Sequence, residues 1–234
     1  MTGTARMNPD EVWRTIDSER LSVADLLDDL SPEEWETPSL CAGWRVRDVA
    51  AHLTLAQLGV FPVLVAAVRA RGSFDRMIHD TAVRESARPV PEYAPRLRAM
   101  AGSRRKAPGV THLEPMLDIL VHGQDITVPL GRTRTMPTGA AATAAQRAWS
   151  MGFPFHARRR LAGFRLAATD CDWTAYGGSR GGSPHGNGAP TVEGPVSALL
   201  MLVTGRYSAA LPLLSGPGLP ALGERLGERL GDTT

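Results

Sequence analysis

An aspartate and a histidine stand four residues apart inside a strongly apolar segment of the chain. Asp118 and His122 enclose three aliphatic residues, 119–121, and Leu117 precedes them. A spacing of four places both side chains on the same face of an α-helix. Because burying an unpaired carboxylate costs several kcal/mol, Asp118 needs a partner from elsewhere in the chain. A metal ion and an arginine are the two partners that the pattern allows.

A second histidine, His52, lies in another predicted helix. Two imidazoles and one carboxylate commonly bind a catalytic divalent metal and leave coordination positions open. A histidine on an apolar helix face is also common in a plain core, so the spacing leaves open both a metal site and a buried polar cluster of His52, Asp118 and His122. Asp125, seven residues after Asp118, is predicted either to orient a ligand histidine or to form a salt bridge or helix cap.

Composition excludes several classes of protein. The 234 residues include 26 basic and 24 acidic side chains, and this balance gives no electrostatic reason to expect a nucleic-acid partner. The two cysteines, Cys41 and Cys171, form no C-x-x-C motif, which excludes a zinc knuckle or a thioredoxin-type site; both are predicted to be buried small residues. No apolar run approaches 18 residues. We therefore expect a cytoplasmic protein without a membrane partner.

Hydrophobic periodicity and capping residues predict a mostly α-helical chain. The first helix begins at the Asn8-Pro9-Asp10-Glu11 pattern and ends near residue 30. Further helices are predicted over 45–70, 113–130, 137–149, 196–204 and 219–230, and strand-like composition over 165–176 and 190–193. These elements predict a helical bundle over residues 1–155 and a small C-terminal α+β domain over 156–234. The last helix is expected to pack on its own domain or to dock on another subunit, in a monomer or a homodimer.

The chain shows no standard nucleophile motif. G-x-S-x-G is absent, and the glycine-rich segment 177–182 lacks the Gly-Lys-Ser/Thr ending of a phosphate-binding loop. If the protein carries out thiol chemistry, we therefore expect the thiol to come from a cosubstrate.

Three segments resemble one family. Residues 38–53, with Trp35 before them, resemble the opening signature of mycothiol-dependent maleylpyruvate isomerase-like proteins, which are DinB-like metal-binding four-helix bundles. Residues 117–131 resemble the second signature, and residues 192–206 resemble the small C-terminal domain of the same proteins. The resemblance covers most of the chain in the right order.

The resemblance implies a divalent metal, usually zinc, held by His52, Asp118 and His122. The isomerase pattern has glutamate where this chain has Asp118, so the metal would lie closer to that helix or bind water at that corner. Arg206 matches the arginine that holds the acidic substrate in the isomerase; a plain charge at a helix end is the alternative.

The function implied by the resemblance is thiol addition to a small electrophile. A metal-bound thiolate of mycothiol would add to the substrate, and the enzyme would be an isomerase if the thiol is later expelled or an S-transferase if the adduct is kept. Two other functions remain open at this point. One is a non-catalytic protein that binds a metal, a small molecule or a partner, and the other is a metal-dependent hydrolase.

Overall fold

The computed structural model describes residues 7–57, 74–107, 109–178 and 188–231, excluding the side chains of 74–79 and 228–231. These residues divide into two compact units: the first spans 8–135, and the second spans the described residues from 136 onward together with Met7. The helices of the first unit are α1 (Pro9–Asp28), α2 (Pro32–Glu36), α3 (Val46–Leu53), α4 (Phe74–Glu85), α5 (Tyr93–Ala99) and α6 (Leu113–Thr127).

The first unit is a helical bundle around an apolar core. Helix α1 packs on α5 and α6, and α3 packs on α4 and α6. The core takes buried residues from every helix described and from the turns between them: Val23, Ala24, Leu27, Trp35, Trp44, Val46, Val49, Ala50, Ala51, Leu53, Ala82, Tyr93, Ala94, Leu97, Met100, Ile119 and Ile126. Helix α6 lies between α1 and α3, and it therefore brings the residues of its polar face close to both.

Local capping residues set where the first helix begins. The Asn8 side chain accepts a hydrogen bond from the Glu11 backbone N–H at 2.9 Å, and the Glu11 carboxylate accepts one from the Asn8 N–H at 2.8 Å. This reciprocal pair is the capping box that the sequence predicts, and Pro9 occupies the first turn. Ser31 and Glu34 repeat the arrangement at the start of α2.

The helix that carries His52 is shorter than predicted. The sequence predicts helix from residue 45 to 70, but α3 ends at Leu53. The backbone N–H groups of residues 54–56 bond to carbonyls three residues back instead of four, and the Thr54 hydroxyl bonds to the Ala51 carbonyl at 2.7 Å. Such a side-chain bond competes with regular helix continuation. Residues 58–70 of the predicted helix lie outside the described residues.

The second unit combines helices with a small sheet. Its elements are α7 (Thr138–Ser150), α8 (Ala157–Arg160), β1 (Arg165–Ala168), β2 (Thr174–Tyr176), β3 (Thr191–Gly194), α9 (Val196–Val203), α10 (Tyr207–Ala210) and α11 (Leu219–Gly231). The strand order is β2-β1-β3; β1 pairs antiparallel with β2 and parallel with β3. Helix α9 packs on α7 and on β1. Helix α7 belongs to this unit, whereas the sequence analysis assigned its residues to the first domain. The domain boundary near residue 155 stays a prediction.

The fold class predicted from the sequence is confirmed. The described residues form a mostly helical protein with a three-stranded sheet near the C-terminus. Among these helices, none has both the length and the apolar character needed to cross a membrane. The rest of the glycine-rich segment that precedes β3, residues 179–187, lies outside the described residues.

Candidate metal centre

The structure brings His52, Asp118 and His122 together within the first unit. Asp118 and His122 lie one turn apart on α6, and His52 lies in the last turn of α3, which packs on α6. The Nε2 atoms of His52 and His122 are each 3.3 Å from the same oxygen, Oδ1 of Asp118. The two imidazole rings meet edge to face, with centroids 4.8 Å apart. Three nitrogen and oxygen atoms therefore point at one small volume.

Asp125 determines which ring nitrogen of His122 carries the hydrogen. Its carboxylate is fully buried, and Oδ2 lies 2.8 Å from Nδ1 of His122. A buried carboxylate accepts hydrogen bonds, so Nδ1 is the N–H donor of this imidazole. In the neutral ring Nε2 then carries a lone pair, which faces the Asp118 oxygen. Two acceptors held face to face repel each other unless a cation lies between them, either a proton on Nε2 or a metal ion.

The distances from the Asp118 oxygen to the two imidazole nitrogens fit a metal ion. Tetrahedral zinc with bonds of about 2.0–2.1 Å separates neighbouring ligand atoms by about 3.3 Å. Both nitrogen-to-oxygen distances at Asp118 have this value and are longer than a normal N–H···O bond of about 2.7–3.2 Å. The side chains of His52, Asp118 and His122 are 18, 29 and 13 % exposed. Because solvent reaches the cluster, a bound ion would keep coordination positions open to a small molecule.

Charge interactions shift the pKa values of the cluster in opposite directions. Burial alone would raise the pKa of Asp118, but the two neighbouring histidines hold that pKa far below its usual range. Burial alone would lower the pKa of His122, yet Asp118, with help from Asp125 and Cys41, raises it well above its usual value. In the metal-free protein the proton on His122 therefore serves as the cation of the cluster.

Cys41 also contacts the centre, which the sequence did not predict. Its thiol donates to Oδ2 of Asp125 at 3.1 Å and lies 3.7 Å from Nδ1 of His122. The Leu40 backbone N–H bonds to the Asp125 carbonyl at 3.3 Å, which fixes the loop on α6. Trp44 from the same loop packs its ring against both histidines, at 5.3 Å from His52 and 6.3 Å from His122. The sequence feature that could have indicated this role is that Cys41 and His52 both lie in the opening family signature, residues 38–53.

Arg20 of α1 is a second residue that the sequence did not single out. It is 2 % exposed, and its Nη1 donates to the Met100 carbonyl at 3.0 Å. Burial lowers the pKa of Arg20, and the charges of Asp17 and Asp118 oppose that effect. Asp118 thus has an arginine nearby as well as two histidines. The i,i+3 pair Asp17 and Arg20 on a helix with buried Ile16 and Val23 was the available sequence signal.

Comparison with solved structures gives the same fold. The mycothiol-dependent maleylpyruvate isomerase superposes with a TM-score of 0.61 and 14% sequence identity, over 92% of this chain and 95% of that one. A histidine-to-alanine mutant of the isomerase gives a TM-score of 0.60 and 13% identity over the same shares. The family model for the mycothiol maleylpyruvate isomerase N-terminal domain matches residues 16–112. Residues 16–112 are therefore similar to the N-terminal domain of this family, and the chain shares the fold of the isomerase. No curated protein sequence gives a significant match.

The family match covers only part of the centre. Residues 16–112 include Arg20, Cys41 and His52 but end before α6 begins at Leu113. The involvement of Asp118, His122 and Asp125 therefore rests on the geometry of this chain.

Arg206 lies in the second unit, and its predicted role stays a prediction. The residue stands at the N-terminus of α10, and its Nη1 donates to the Thr204 carbonyl at 2.9 Å. Thr204 is the C-cap of α9, so this contact is what a charge at a helix end makes.

Proposed function

We propose that this protein is a metal-dependent enzyme that uses mycothiol to attack an electrophilic small molecule, as an isomerase or an S-transferase. The observation that supports it is the shared Asp118 oxygen, which faces Nε2 of both His52 and His122 at 3.3 Å. The similarity of residues 16–112 to the mycothiol maleylpyruvate isomerase N-terminal domain supports the choice of thiol and of reaction class. The two parts of the proposal have separate tests.

The residues present favour zinc among the common divalent ions. Two imidazole nitrogens and one carboxylate oxygen suit zinc, whereas calcium and magnesium prefer oxygen ligands throughout. When bound, such an ion lowers the pKa of a coordinating thiol and so supplies thiolate at neutral pH. His52, Asp118 and His122 would hold the ion, and Asp125 would keep Nδ1 of His122 protonated so that Nε2 remains a ligand.

The chain's own residues would contribute in three further ways. Trp44 shields one side of both imidazoles from water and limits their rotation. Cys41 holds the Asp125 carboxylate through its thiol hydrogen bond. Arg206 is proposed to bind a carboxylate of the substrate through bidentate hydrogen bonds.

Metal content and thiol dependence test the proposal. Purified protein loaded with zinc should bind close to one ion per chain by elemental analysis, and His52→Ala should lose it. His112→Ala is the matched control, because His112 precedes α6 in the same unit and takes no part in the cluster. Wild-type protein is then incubated with an electrophilic substrate, with and without mycothiol, and the products are identified by mass spectrometry.

Each outcome distinguishes one class of function. An isomerised product that needs mycothiol indicates an isomerase, and a stable mycothiol adduct indicates an S-transferase. Turnover of ester or amide substrates without any thiol would instead indicate a metal-dependent hydrolase. A protein that binds no metal in the presence of zinc would refute the proposal, because the cluster would then be held together by the His122 proton alone.

A further inference from the structure

A second group of donor atoms surrounds Nδ1 of His122. Sγ of Cys41 lies 3.7 Å from this nitrogen and 3.1 Å from Oδ2 of Asp125, and that oxygen lies 2.8 Å from Nδ1. In the described part of the chain, these three side chains form a second group that could hold a metal ion. Nδ1 and Nε2 point in different directions from the imidazole ring, so this group lies apart from the one that Nε2 forms with His52 and Asp118.

The three distances are compatible with one small cation. A point about 2.2 Å from all three atoms exists, and metal–nitrogen, metal–oxygen and metal–sulfur bonds are about 2.0–2.3 Å long for zinc. Such a cation replaces the thiol hydrogen and the hydrogen between Nδ1 and Asp125. The thiolate and the fully buried carboxylate supply two negative charges, which a divalent cation neutralises. Mg²⁺ and Ca²⁺, which prefer oxygen ligands, fit a thiolate poorly.

The loop before α3 holds Cys41 in place independently of its thiol. The Cys41 N–H donates to the Ser39 hydroxyl at 3.1 Å, and the Cys41 carbonyl accepts from the Trp44 N–H at 3.0 Å. The Leu40 N–H donates to the Asp125 carbonyl. These bonds remain when the thiol loses its hydrogen, so the donor atoms are already in position for an ion. Cys41 is partly exposed, which gives a cation access to the buried carboxylate.

We propose that Cys41, Nδ1 of His122 and Asp125 form a second metal site, which takes a divalent thiophilic cation and competes with the first site for His122. When Nδ1 binds an ion, the neutral ring keeps its hydrogen on Nε2, where it points at Oδ1 of Asp118. Nε2 then has no lone pair for zinc, so the imidazole serves one ion at a time. Binding breaks the S–H bond of Cys41 and the Nδ1–H bond of His122; both protons pass to solvent, and no electrons are transferred.

The softness of the cation decides which site it occupies. Zinc prefers the first site, because binding there requires no loss of a thiol proton. A softer ion such as Cd²⁺ gains more from the thiolate bond and therefore prefers the second site. This inference goes beyond the proposed function, since it assigns a different ion to a different set of ligands and shares only His122 with the first site.

Cadmium titration of the metal-free protein tests the second site, because a cadmium–thiolate bond gives an ultraviolet charge-transfer band. We expect wild type to develop the band with one equivalent of Cd²⁺ and Cys41→Ser to lack it. Cys171→Ser is the matched control and should retain the band, since Cys171 lies in the second unit and in no candidate metal group of the described residues. His52→Ala should also retain it, because this variant removes a ligand of the first site only.

His122→Gln and Asp125→Asn distinguish a three-ligand site from binding by a single thiol. Each should raise the cadmium dissociation constant at least about tenfold, since even the loss of an outer partner of a metal site has an effect of this size. Unchanged dissociation constants in both variants, or a band that persists in Cys41→Ser, overturn the proposal. In cadmium-loaded wild type, the ¹⁵N NMR signals of the His122 ring should show cadmium on Nδ1 and hydrogen on Nε2; cadmium on Nε2 also overturns it.

Adding Cd²⁺ to zinc-loaded protein tests the competition. Elemental analysis after removal of free ions should show that cadmium replaces zinc in wild type. Cys41→Ser should keep its zinc at the same Cd²⁺ concentration, because the first site offers no sulfur ligand. A wild-type protein that retains both ions overturns the competition. A protein that takes up no zinc but gives the Cys41-dependent cadmium band refutes the proposed function and leaves the second site standing.

Discussion

Replacing Asp125 by asparagine tests how the centre controls His122. The side chain is fully buried, and its Oδ2 accepts hydrogen bonds from Nδ1 of His122 at 2.8 Å and from the Cys41 thiol at 3.1 Å. Asparagine has nearly the same shape but no charge, and its amide has a single oxygen acceptor. The substitution therefore weakens the hold on the Nδ1 hydrogen and leaves the three proposed ligands unchanged.

The expected loss follows from the size of such effects elsewhere. Removing the acceptor that orients a ligand histidine typically lowers metal affinity 10- to 100-fold, which corresponds to about 1.4–2.7 kcal/mol. Asp125 belongs to the strong end of this range because its carboxylate is completely shielded from water, and hydrogen bonds to charged groups contribute about 1.5–3 kcal/mol. We expect zinc affinity to fall by roughly 30- to 100-fold.

Competition with a chromophoric chelator measures the zinc dissociation constant of wild type and variant at the same pH. Asp48→Asn is the matched control, since Asp48 is also a buried carboxylate in the first unit and caps the start of α3, the helix that carries His52. Asp48 accepts from Arg45 and lies outside the cluster. Its loss should lower the free energy of unfolding by about 1–3 kcal/mol and leave zinc affinity within about threefold of wild type.

A wild-type zinc affinity for Asp125→Asn would refute the reasoning, because the tautomer of His122 would then not depend on Asp125. An equal loss for Asp48→Asn and Asp125→Asn would also contradict it. In that case general destabilisation of the unit, and not the orientation of one imidazole, would account for both results. Melting curves of the metal-free variants, recorded by circular dichroism, separate the two explanations.

Three other substitutions or conditions give further predictions. Because the pKa of His122 is raised, its protonated form stabilises the metal-free protein below about pH 6.5, and this stabilisation is lost as the pH rises. The lowered pKa of Asp118 stabilises the protein above about pH 4. Urea unfolding should therefore show that the stability of the metal-free protein falls above about pH 6.5, while zinc affinity rises over the same range. His122→Gln is the control variant, and its stability should not show this fall with pH. Cys41→Ala should weaken zinc binding by a few-fold and Cys41→Ser should restore it, because the thiol bond to Asp125 contributes about 1 kcal/mol; equal losses in both variants would argue against that bond. Gly216→Ala should lower the free energy of unfolding by about 1–3 kcal/mol more than Gly163→Ala. Both glycines have positive φ, but only at Gly216 would an added Cβ lie 2.6 Å from a carbonyl oxygen. Similar losses in the two variants would contradict this prediction.

The elements that the sequence predicted well are those set by neighbours along the chain. The Asn8–Glu11 capping box requires only residues three apart, and the pairing of Asp118 with His122 on one face requires only the period of a helix. Strand composition over 165–176 likewise located β1 and β2, although not the turn that separates them. The meeting of His52 with this pair was predicted through the family resemblance, since sequence spacing cannot bring distant helices together.

The features that the sequence left out depend on contacts between distant segments. Cys41 reaches Asp125 because the loop before α3 folds back onto the last turn of α6, which no periodicity reveals. Arg20 reaches the neighbourhood of Asp118 because α1 packs on α6. The end of α3 was missed for a different reason: residues beyond Leu53 keep an apolar helical pattern, but the Thr54 hydroxyl takes the Ala51 carbonyl.

The geometry supports the proposed role of Asp118 as a ligand at the position where the isomerase pattern has glutamate. Asp118 and His122 come from one helix a turn apart, so their separation is set by the backbone, and α3 packs directly on α6 to bring His52 to the same oxygen. Both nitrogen distances to that oxygen are 3.3 Å, so the shorter side chain reaches a point equally placed for either imidazole. A glutamate at 118 would push its carboxylate about one methylene further toward the two histidines. In Asp118→Glu, His52 would therefore have to move to restore the 3.3 Å distance between its Nε2 atom and the carboxylate oxygen. The close packing of α3 on α6 resists such a shift.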